Sequence, residues 1–83
     1  MGEGAETLSE KALRVLQATV VEAYGKPEEP VTRDSVMRRA NILDAEEFRA
    51  IAGYLEGRGW IAEAEDDYRV FVITEAGIDA AMR

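Results

Sequence analysis

From Leu8 onward, apolar side chains recur at Ala12, Leu13, Val15, Leu16, Val20, Ala23 and Tyr24. Spacing of three and four predicts an amphipathic helix with one face toward a core. Thr7 and Glu10 frame its start as a capping box, each side chain satisfying a free backbone N–H. Gly25 is placed to end it in a left-handed conformation. Lys26-Pro27-Glu28-Glu29-Pro30 reads as a loop, because proline removes donors and restricts its neighbours.

Val31 reads as a short edge strand. Thr32 then caps a second helix, with Asp34 favourable in its first turn and Val36, Met37 and Ala40 inward. Asn41-Ile42-Leu43 makes a turn, with Ile42 and Leu43 expected to plug the core. Asp44 and Glu47 have the spacing of a second capping box, so a third helix starts at Ala45. Its buried stripe is Phe48, Ile51, Ala52 and Leu55, and Gly57 and Gly59 end it.

Trp60 to Glu65 reads as one strand and Tyr68 to Ile73 as the next, with Asp66-Asp67 near the turn. Val70, Phe71, Val72 and Ile73 are β-branched or aromatic, as strands prefer. Thr74 caps a last helix carrying Ile78, Ala81 and Met82. Residues 1–6 lack periodicity and read as a loose tail, and 7–83 as a single domain.

Helix, short strand, helix, turn, helix, two-stranded hairpin, helix is an order that resembles the winged helix-turn-helix family, from about Thr7 to Met82. The pieces that carry the resemblance are Asn41-Ile42-Leu43-Asp44 with Glu47, Arg58-Gly59-Trp60-Ile61 and Ile73-Thr74-Glu75-Ala76-Gly77. They are packing and capping positions, so they argue for scaffold more than function. The resemblance implies an α+β winged helix: a three-helix core, a two-stranded wing and a C-terminal helix. It further implies a small DNA-binding transcriptional regulator whose helix from Ala45 to Gly57 enters the major groove while the wing reaches an adjacent groove or backbone.

Charge cuts against that implication. The 83 residues hold 17 Asp and Glu against 10 Lys and Arg, a formal net charge of −7. Duplex DNA is a dense line of negative charge, which this balance opposes. Arginine predominates over lysine and alanine is abundant, so a genome-wide or high-salt bias is the alternative reading of the acidity. There is no cysteine, which suits a reducing cytoplasm, and no histidine, so the usual general base and metal ligand are missing. No serine or threonine has a base in a recognisable motif, and no phosphate-cradling glycine loop occurs. The expectation is a non-catalytic protein without cofactor or metal. The acidic N-terminus is not a signal peptide, Glu6 stands where a myristoylation signal wants Ser or Thr, and no apolar run spans a bilayer, so no membrane partner is expected.

The candidate binding residues lie on and around the third helix. Opposite its buried stripe stand Glu46, Ala50, Gly53 and Gly57, flanked by Arg49, Tyr54 and Glu47. Base reading needs donors and acceptors such as Arg, Asn or Gln, and this helix offers Arg49. Arg33, Arg38 and Arg39 on the second helix join Arg49 in a possible basic patch, or pair with Asp34, Glu46 or Glu47. Arg69 opposes the acids Glu63, Glu65, Asp66 and Asp67 of the hairpin, a cluster that reads as a solvated tip rather than a cation site. Trp60 packs over the core or anchors a partner. Ala50, Gly53 and Gly57 form a stripe of small residues onto which another surface can close, with Tyr54 at its rim. Two readings follow: a DNA-binding regulator, or an acidic protein-interaction or dimerisation module that uses the same surface without DNA.

Overall fold

The computed structural model describes residues 7–64 and 67–83. The expected tail at 1–6 and the acids Glu65 and Asp66 lie outside the described residues. The elements run α1 (Leu8–Glu22), β1 (Val31–Thr32), α2 (Arg33–Ala40), α3 (Ala45–Gly57), β2 (Ile61–Ala64), β3 (Asp67–Ile73) and α4 (Glu75–Met82). The described residues thus form an α+β domain of four helices and a three-stranded antiparallel sheet, a layout compatible with the resemblance. Among the described residues, no helix is long and apolar enough to cross a membrane.

Helix starts follow their capping residues. Thr7 and Glu10 form the reciprocal box that the sequence predicts. Thr32 accepts from the Ser35 N–H, and Thr74 from the Gly77 N–H. Asp44 caps α3 by accepting from the Glu46 N–H, but the expected reciprocal bond, from the Asp44 N–H to the Glu47 carboxylate, is absent. The Glu47 carboxylate instead accepts from the Lys11 ammonium of α1. A charged partner wins that side chain from a backbone N–H.

The sheet is ordered β1-β3-β2, so the long β3 is central. Val31 pairs with Phe71 on one side, and Glu63 with Phe71 and Ile61 with Ile73 on the other. The register slips between Glu63 and Ala64. The first hairpin strand begins at Ile61, one residue after the expected Trp60, and the second begins at Asp67, which places that residue in the strand rather than the turn.

The core lies between the helices and one face of the sheet. Val15 and Leu16 of α1, Val36 of α2, Phe48, Ile51 and Leu55 of α3 and Ile73 of β3 are fully enclosed. Each such side chain contributes about 1.5–3 kcal/mol of transfer free energy. The Phe48 and Phe71 rings meet tilted at 49° with centroids 6.2 Å apart, tying α3 to the sheet. Arg14 of α1 donates from Nε to the carbonyl of Ala40 at 2.8 Å, satisfying an acceptor at the last turn of α2.

Three expected core side chains are not there. Leu43 is 78% exposed, because Ile42 alone turns inward at the α2–α3 corner. Leu13 is exposed on α1. Tyr24 is 84% exposed, because α1 ends at Glu22 and the chain reverses immediately. Tyr24 itself is left-handed at φ 56, followed by left-handed Gly25 at φ 72, so the turn begins one residue earlier than Gly25 alone predicts.

At the other end, α4 sits directly on the turn that joins α3 to β2. The Thr74 hydroxyl donates toward the carbonyls of Gly59 at 2.7 Å and Trp60 at 3.1 Å, and the Thr74 N–H donates to the Trp60 carbonyl at 3.0 Å. A Cβ on Gly77 would lie 2.2 Å from that same carbonyl oxygen, so only glycine lets the two segments approach. The Arg58–Ile61 and Ile73–Gly77 pieces are one interlocked corner.

Candidate functional site

Helix α3 presents two distinct flanks beside its buried stripe. Its outward stripe is Glu46, Ala50, Gly53 and Gly57, all exposed. A Cβ on Gly53 or Gly57 would meet nothing within 4 Å, and neither has positive φ. Neither glycine is therefore required by the chain's own packing. Glycine in a helix interior costs ~0.5–1 kcal/mol relative to alanine.

The flank toward the sheet borders a hollow of about 140 Å³. Its floor is Phe48 and Ala52 of α3 with Ile61 and Phe71 of the hairpin. Charged side chains stand around it: Arg33, Arg49, Glu56 and Glu63. The Arg33 guanidinium lies over the fully enclosed Phe48 ring, 5.6 Å from its centroid. The Arg33 Nε is shielded and has no acceptor. Among the described residues, neither Arg33 nor Arg49 has a carboxylate within ion-pair distance, although two glutamates share their hollow.

The arginines do not form one basic face. Arg33 and Arg49 come together at this hollow. Arg38 and Arg39 line a separate depression with Glu22 and Ser35. Arg39 donates from Nε to Glu22 at 2.6 Å, so its partner is on α1 rather than Asp34, Glu46 or Glu47. Arg69 lies in a third place, beside Asp34 and Val70. It clasps Asp67 through Nε at 3.1 Å and Nη2 at 3.2 Å, and its backbone N–H donates to the same carboxylate at 2.9 Å. Those hydrogen bonds hold the Asp67 carboxyl below its ordinary value.

Tyr54 is half-buried and packs against the core. The Arg58 guanidinium lies 5.5 Å from the Tyr54 ring centroid and 5.1 Å from that of Trp60. Its Nη2 reaches the Tyr54 hydroxyl at 3.4 Å, and this hydrogen bond lowers the phenol from its ordinary value. Trp60 packs against the core, as the first of its two sequence readings has it.

Sequence reasoning passes over Glu56 and the hollow's aromatic floor. The signal was present in the spacing of Arg49, Gly53 and Glu56, which puts all three on one side of a helix. That the hairpin would close over this side depended on tertiary packing. Comparison with family models, curated proteins and solved structures finds no match for this chain.

Proposed function

We propose that this chain is a non-catalytic binding module on a winged-helix scaffold whose α3 face meets another protein rather than duplex DNA. The observation that carries this is the dispersal of its arginines. Arg33 with Arg49, Arg38 with Arg39, and Arg69 occupy three separate places, and two of the three include an arginine held by a carboxylate. A continuous cationic track is what phosphate binding requires. The outward stripe of α3 suits a protein surface better: Ala50, Gly53 and Gly57 admit close approach, and Glu46 repels phosphate. The net charge of −7 favours a partner whose own face is basic.

The alternative, a DNA-binding regulator, draws support from Arg33, Arg38 and Arg49, which have no ion-pair partner among the described residues. The two readings part in a capture experiment. The chain is immobilised and exposed to extract of its source cells, beside a Gly53→Glu variant with the same fold. A protein retained by the native chain and lost with Gly53→Glu supports the proposal. Nucleic acid retained at low salt and released as salt rises contradicts it.

A further inference from the structure

We propose that the hollow between α3 and the sheet is a binding site for a free α-amino acid with an apolar side chain of about leucine's size. The site needs three things of a ligand, and each is visible in its walls. The floor of Ala52, Ile61 and Phe71 takes an apolar group, with the enclosed Phe48 ring behind it under Arg33. Its volume of about 140 Å³ is close to that of an engineered apolar cavity of ~150 Å³ that accommodates benzene. The rim carries two cations and two anions, Arg33 and Arg49 with Glu56 and Glu63, which leaves it formally neutral. A ligand with one charge meets two like charges there; a zwitterion finds partners for both its ends.

The four rim charges do not satisfy one another. No guanidinium nitrogen of Arg33 or Arg49 lies within 4.0 Å of a carboxylate oxygen among the described residues. Arg49 and Glu56 lie on one side of α3 but two turns apart, about 10 Å along the axis. Gly53 stands between them, one turn from each, and a Cβ there meets only open space. The missing side chain keeps the gap clear. A carboxylate placed in the gap accepts from Arg49 and Arg33, and the adjacent ammonium donates to Glu56 or Glu63. Arg33 is pre-set for this by its place over the Phe48 ring, without an anion of its own among the described residues. This also supplies a reason for Gly53 that internal packing does not. The hollow is built from this chain's own residues, so leucine binding there needs no macromolecular partner.

The test is titration of the full chain with leucine, followed by backbone amide shifts. Leucinamide, which lacks the carboxylate, and N-acetylleucine, which lacks the ammonium, are run in parallel. They also stand for a peptide N-terminus and C-terminus. The expected result is saturable shifts at α3 and β2 with leucine, with both analogues at least tenfold weaker. Arg49→Gln and Glu56→Gln, at exposed positions, keep the native spectrum and each weaken leucine about tenfold. Gly53→Leu fills the gap and abolishes binding in a folded protein. No saturable shift up to ~10 mM leucine, ten times the millimolar constant expected of so small a ligand, overturns the proposal. Equal binding of either analogue overturns it too, as does leucine binding that is indifferent to both charge-removing variants.

Discussion

Two glycines in this chain have opposite meanings, and only the folded structure separates them. Gly77 is needed, since a Cβ there would stand 2.2 Å from the Trp60 carbonyl oxygen and 2.7 Å from Ile73 Cγ1. Gly53 is not needed by the fold, since its Cβ would meet nothing. Chemical denaturation should therefore find Gly77→Ala destabilising by ~1–3 kcal/mol through overpacking. The same assay should find Gly53→Ala stabilising by ~0.5–1 kcal/mol through helix propensity. The sequence showed that Gly53 was anomalous in a helix, but not that Gly77 was pinned, because the atoms pinning it are far along the chain. The Asp67–Arg69 clasp was half legible: spacing set Arg69 against the hairpin acids, but the choice of Asp67 depends on β3 starting there. Its hydrogen bonds from Arg69 place the folded Asp67 below its ordinary 3.8. The clasp's contribution is then fully present above pH 3.8 and is lost as pH falls through the lower folded value. A carboxyl-carbon NMR titration should give Asp67 a midpoint below 3.8, and Arg69→Ala should raise it.

At the scale of elements, capping chemistry was the most legible signal. Thr7, Thr32, Asp44 and Thr74 each stand immediately before a helix that begins where they predict. The reason is local: a side-chain oxygen needs only the next turn of its own chain. Signals that needed tertiary context were less complete. Leu43 and Tyr24 have core-like character but sit at corners that turn them outward. Glu47 has capping spacing but is taken by Lys11 of another helix. Thr74 combines both kinds of information, capping α4 while its hydroxyl binds the turn before β2. Thr74→Ala should cost ~1 kcal/mol or more in a thermal melt, since it removes a cap and the tie between two elements. Thr74→Ser, which keeps the hydroxyl, should recover most of that loss.

At the scale of the molecule, element order predicted an α+β domain with a small hairpin, and the structure has that layout. The placement of charge was not legible in the same way. Arg33, Arg38, Arg39 and Arg49 lie close in sequence, which suggests one patch. The fold parts Arg33 and Arg49 from Arg38 and Arg39, and Glu22 of a distant segment takes one of them. The candidate surface was half visible: the small-residue stripe of α3 follows from its period, whereas the hollow needed the hairpin's position. The α+β scaffold thus carries divided arginines on a chain of net charge −7, a surface we read as closed to duplex DNA. Fluorescence anisotropy of a labelled random duplex pool, titrated with this chain at low salt, tests that most directly. The expected result is no rise in anisotropy at any concentration below aggregation. A saturable rise that falls steeply with added salt and weakens with Arg49→Ala would contradict it.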